Sequence, residues 1–139
     1  MIFTIAPIMT ALNSSMNEHF ASDEKAEQHY DKHVVDGDRG EFPSTLYPNT
    51  KLYVKGGDRL ANTPVAGSDL DSGDVVGFKS AQHGGCYIKY DKRHHTMVVY
   101  KPDPSKPCGV LIFTYHKYRN SDARYERMKA EDMIGEIEG

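Results

Sequence analysis

A chain of 139 residues, 38% apolar and 27% charged, is long enough for one hydrophobic core, and its apolar runs are too short to span a membrane. A net charge of −3 excludes a protein that coats nucleic acid over its whole surface. Two cysteines, Cys86 and Cys108, are too few for a disulfide scaffold or a cysteine-only metal knot, and read as free thiols in a reducing cytoplasm.

The first third reads as helical. Pro7 suits a first helical turn, and Met9, Leu12, Met16 and Phe20 recur at three- and four-residue spacing. No Lys or Arg precedes Lys25, so the apolar start is not expected to be a secretory leader. Ser22 is the expected N-cap of a second helix, with Asp23 and Glu24 where the helix dipole favours anions. That helix is expected to run to about His33, with Ala26, His29, Tyr30 and His33 on one stripe. The segment from Val34 to Gly40 then breaks it with two glycines and two aspartates.

Residues 41–85 are punctuated by Pro43, Pro48, Gly56, Gly57, Pro64, Gly67 and Gly73, with short extended pieces expected at Lys51–Lys55 and Asp74–Lys79. The acids in Ser68–Gly73 lack the distal glutamate of a calcium loop and read as a surface turn. From Gly85 the pattern sharpens. Cys86–Tyr90 and Thr96–Lys101 are β-rich runs joined by a hairpin-length connection, Asp91–His95. The proline-rich stretch Pro102–Pro107 can form neither a helix nor a central strand. Gly109–Tyr118 is the strongest strand, and Ser121 opens a closing helix expected to reach about Glu136, packed through Tyr125, Met128 and Met133 or Ile134. Together these predict a single α+β domain over 1–139: helical over 1–35, mainly β over 41–118, helical over 121–137. N-terminal helices would pack on a four- to five-stranded antiparallel sheet, with a C-terminal helix completing the cover.

Charge is partitioned along the chain. Residues 1–78 hold 6 Lys and Arg against 12 Asp and Glu, residues 79–119 hold 8 against 2, and residues 120–139 hold 3 against 6. A local basic surface engages a phosphate backbone at one place without coating it. Lysine on solvent edges also blocks strand addition, so a purely structural reading stands beside the functional one. Strand alternation places Val110, Ile112, Thr114, His116 and Tyr118 on one face and Leu111, Phe113, Tyr115 and Lys117 on the other. A hydroxyl and an imidazole two residues apart suit phosphate chemistry. Cleaving RNA through its own 2′-hydroxyl needs a base, an acid for the leaving oxygen and donors for the phosphorane charge. Histidine exchanges protons near neutrality, and a threonine hydroxyl can bind a non-bridging oxygen.

Lys32-His33, followed by a turn to Glu41-Phe42, then Tyr90-Asp91 at the hairpin and Thr114-Tyr115-His116 on the last strand, resembles in order the signature of the barnase–EndoU–colicin–RelE superfamily, small ribonucleases of bacterial toxins and phage proteins. The resemblance covers roughly residues 26–118. It implies a catalytic histidine at the end of a helix ahead of an antiparallel sheet. By that likeness His33 is the general base, Thr114 a phosphate ligand, His116 the second acid/base or phosphate donor, and Lys32 or Arg39 the positive charge. Two departures weaken it: residues 43–79 match nothing in that pattern, and the last strand lacks the usual proline just after it.

The function expected is a metal-independent, cofactor-free endoribonuclease, cytoplasmic in a bacterium or phage-infected host, cutting RNA (tRNA or rRNA among the options) to a 2′,3′-cyclic phosphate. Lys32, Arg39, Lys89, Tyr90 and Tyr118 are the candidates for holding RNA, the tyrosines by stacking on unpaired bases. An immunity or host protein partner fits the toxin likeness, and no membrane is implied. Other readings remain open. The competing function is a non-enzymatic phage-encoded inhibitor that engages a host macromolecule through the basic C-terminal half. His29 and His33, four apart, have the spacing of a two-histidine metal grip, but Tyr30 stands where a metalloprotease has its glutamate. His94-His95 reads as a solvated hairpin tip.

Overall fold

The computed structural model describes residues 20–35, 42–43, 45–106, 109–117 and 120–137. The helix expected from Pro7 lies outside them except for Phe20, which is buried. Ser22 caps α1 (Asp23–Tyr30) as its type and position imply, its hydroxyl accepting from the Lys25 amide at 3.1 Å. The helix does not continue to His33 in α form. Asp31–Val35 makes a π-helical turn that buries His33 and Val34.

The expected extended piece at Lys51–Lys55 is instead part of a helix, α2 (Thr50–Ala61). Its N-cap is Asn49, whose side chain accepts from the Leu52 amide at 3.0 Å. The glycine pair that looked like a breaker is a contact surface. A Cβ on Gly57 would stand 3.1 Å from Tyr115 Cβ and 3.4 Å from Ile112 Cδ1, so the missing side chain lets α2 lie close on the sheet. Tyr53, Val54, Leu60 and Ala61 supply the buried stripe around it. Tertiary packing overrode the local breaker signal.

Five antiparallel strands follow: β1 (Val75–Ser80), β2 (Cys86–Asp91), β3 (Thr96–Pro102), β4 (Val110–Lys117) and, after α3 (Ser121–Asp132), β5 (Met133–Gly135). Their order is β4-β3-β2-β1-β5. The closing helix therefore stops earlier than expected, and Met133–Gly135 pairs with β1 as an edge strand. The architecture is the α+β arrangement predicted. One face of the sheet buries Val98, Tyr100, Val110 and Ile112 with residues of α1 and α2. The other buries Val76, Phe78, Ile88, Met97 and Val99 with Tyr125 of α3. Among the described residues no helix is long and apolar enough to cross a membrane.

Regular alternation fails once in β4, and the failure positions the site. Val99 pairs with Thr114 while Tyr100 pairs with Ile112, so Phe113 is an extra, bulged residue. Directly paired residues share a face. Thr114 and His116, opposite Val99 and Met97, therefore face the α3 side, whereas Val110 and Ile112 face α2. The single face expected for Val110, Ile112, Thr114 and His116 is corrected: the last two do share a surface, but not with the aliphatics.

Candidate active site

β4 forms one edge of the sheet, and the π-helical turn after α1 packs against it. His33 on that turn reaches Thr114, with Nε2 to Oγ1 at 3.3 Å and the donor set by the ring tautomer. The His33 ring centroid lies 5.7 Å from that of His116 and 5.7 Å from that of His29, which it stacks against. His33 and the β4 pair Thr114 and His116, singled out from two separate parts of the chain, thus converge. The Phe42 amide donates to the His33 carbonyl at 3.2 Å, which ties Phe42 to the backbone of the site.

These groups line a cavity of about 410 Å³. His33 and His116 are buried, 2% and 5% exposed, whereas Lys25, Lys32 and Arg124 on its wall are exposed, so the cavity has a solvent-facing, cationic rim over a less polar floor. No carboxylate is among the described residues that line it.

Electrostatics follow from that composition. Burial holds the His116 imidazole well below the usual histidine range, and His33, Arg124, Lys32 and His29 push it the same way. His29 is pushed down to about 4, first by burial and then by His33, Lys32 and Lys25. Its Nδ1 is buried and finds no hydrogen-bond partner among the described residues. Both rings are therefore neutral at pH 7. Among the described residues, cations and imidazoles crowd together without a carboxylate, an arrangement that opposes further positive charge and favours an anion. Among the described residues, no three His, Cys, Asp or Glu side chains cluster as a metal-holding set.

No family model matches this chain, and neither a curated protein nor a solved structure matches it significantly.

The remaining candidates sit as follows. Lys32 lines the cavity. Arg39 and Tyr118 lie outside the described residues. Lys89 does not line it: its ammonium is buried on the α2 side, donating to the Ala61 and Thr63 carbonyls at 2.7 Å each, and burial lowers its pKa. Tyr90 is fully buried, stacks on Tyr125 at 5.3 Å and hydrogen-bonds Asp122. Four lining residues, Lys25, His83, Phe113 and Arg124, were not among the site candidates of the sequence reading. Lys25 was legible, because Lys25, His29 and Lys32 recur at helical spacing. The other three required the tertiary fold.

Proposed function

We propose that the protein is a metal-independent endoribonuclease that cleaves RNA by transesterification. One observation carries the reading. His33 and Thr114 are 3.3 Å apart, with the His116 ring beside them, in a cavity whose described lining includes Lys25, Lys32 and Arg124 and no carboxylate.

In this reading a phosphodiester enters between the imidazoles. His33 accepts the ribose 2′ proton, and the 2′ oxygen attacks phosphorus as the bond to the 5′ oxygen breaks. Thr114 donates to a non-bridging oxygen, and Lys32 with Arg124 offsets the charge gained by the phosphorane. Burial, reinforced by the neighbouring imidazoles and cations, keeps His116 neutral; a bound phosphate beside it favours the charged form, so this ring takes up a proton on binding and delivers it to the departing 5′ oxygen. The products are a 2′,3′-cyclic phosphate and a 5′-hydroxyl.

The test is incubation of the purified protein with total tRNA or rRNA in EDTA. Discrete cuts ending in a cyclic phosphate, lost by at least about 100-fold in His33→Ala and diminished in Thr114→Val, are expected; general acid–base groups typically contribute about 10²–10⁴-fold. Intact RNA at high protein concentration refutes the enzyme and favours the inhibitor reading. Cleavage that EDTA abolishes refutes the metal-independent mechanism.

A further inference from the structure

The turn Gln82–Gly84 between β1 and β2 places an exposed imidazole on the cavity wall. His83 lies flat on Phe113, with ring centroids 4.3 Å apart and planes 7° from parallel. Phe113 is the bulged residue of β4, immediately before Thr114. The irregularity that aims Thr114 into the cavity therefore also brings Phe113 beneath His83.

The platform is held in place. Gln82 is fixed through its amide to the Ser80 hydroxyl at 3.1 Å and through its side chain to Asp132 at 2.6 Å, and the Gly85 amide closes the turn on the Gln82 carbonyl at 2.8 Å. His83 has φ of 53°, a left-handed conformation that non-glycine residues rarely adopt. The next two residues, Gly84 and Gly85, have open space where a Cβ would stand. A hydrogen-bonded turn thus holds one aromatic ring on another on the wall of the cavity. At about 410 Å³ that cavity falls in the range of small-molecule sites, roughly 300–1,000 Å³, and has room for more than a phosphate.

We propose that the outer face of the His83 ring, backed by Phe113, receives an unpaired nucleobase of the RNA whose phosphate sits among His33, Thr114 and His116. The inference rests on the ribonuclease reading and makes its substrate single-stranded at the cut. Every base offers a π face, so a two-ring stack accepts a base without selecting its sequence, whereas a paired base would not be free to lie there.

The test titrates wild type, His83→Ala and His83→Tyr with inorganic phosphate and with adenosine 3′-monophosphate, following amide NMR shifts. Stacking of one base on an aromatic side chain corresponds to roughly 5- to 150-fold in affinity. The nucleotide is expected to bind wild type tighter than phosphate by a factor in that range. His83→Ala should lose most of the difference while its phosphate affinity stays unchanged, and His83→Tyr should keep it. Nucleotide binding equal to phosphate binding, wild-type nucleotide affinity in His83→Ala, or no binding of either probe overturns the proposal. The two readings fail separately. Uncut RNA with His83-dependent nucleotide binding refutes the nuclease and supports the platform, while cut RNA with His83-independent binding does the reverse.

Discussion

Lowering the pH from 7 to 5 should destabilise this protein through His116, and the structure sets the size of the effect. The ring is buried, and His33 and His29 imidazoles, Lys32 and Arg124 are the groups that act on it. Its native pKa is depressed, so the unfolded chain binds the extra proton first. The contribution is fully present above the unfolded value of about 6.5 and is lost as pH falls below it. While the native ring stays neutral, the loss approaches about 1.4 kcal/mol per pH unit, or about 2 kcal/mol between pH 7 and pH 5. His29 acts in the same direction, but it is partly exposed and solvent screening reduces its share. Urea unfolding of wild type and His116→Gln at pH 5, 6 and 7 measures the term as the difference in slope against pH, which cancels carboxylates common to both. Identical slopes would mean that the native ring titrates like an unfolded one, and would remove the electrostatic argument for an anion site. Phosphate should flatten the wild-type slope, because an anion beside His116 raises its proton affinity.

Two further perturbations test the scaffold, beside the RNA-cleavage and nucleotide-binding outcomes already stated. Gly77→Ala should cost roughly 1–3 kcal/mol in thermal or urea unfolding, because the new Cβ would collide with the Ile88 carbonyl oxygen and stand 3.3 Å from Lys89 Cα on the paired strand. Wild-type stability in that variant would show that β1 and β2 are not registered as described. Lys89→Met should lose about 1–3 kcal/mol by stranding the Ala61 and Thr63 carbonyls, while leaving RNA cleavage intact. Cleavage lost in a stably folded Lys89→Met variant would return this lysine to the substrate site.

Legibility followed the range of the physics involved. The N-cap at Ser22, the hairpin from Cys86 to Pro102 and strand β4 are local: a hydroxyl before an acidic first turn, alternating side chains and proline punctuation specify them. The helix from Thr50 to Ala61 was missed because Gly56 and Gly57 signal a turn unless one knows that Tyr47 and Tyr115 occupy the space beside them. The strand at Met133–Gly135 is set by its partner Lys79–Ser80, some fifty residues away, and a charged helical sequence carries no trace of that pairing. His33, Thr114 and His116 were each readable by residue type, and their convergence was expected only by likeness. Arg124 and His83 were not readable, since helix α3 and the turn after β1 reach the cavity only through the folded sheet.

The meeting of His33 and Thr114 depends on two departures from regular structure. His33 sits on a π-helical turn, and Thr114 follows the bulged Phe113. Had β4 alternated without interruption, Thr114 and His116 would share the face of Ile112, against α2, where a hydroxyl and an imidazole would lie among Tyr53, Val54 and Leu60. The bulge shifts the phase by one residue, turning both polar groups out of that core and leaving Ile112 in it. π-Turns and β-bulges each sacrifice regular hydrogen bonding, and both are concentrated at functional sites, where they re-aim a side chain. Either one alone is an ordinary feature of a fold. Here the two lie on elements separated by 81 positions along the chain and direct their side chains to within 3.3 Å of each other. Packing has no need of that coincidence, because apolar residues on regular elements would bury the same surface without holding His29 and His116 below the usual histidine range, whereas the proposed phosphodiester site makes use of it.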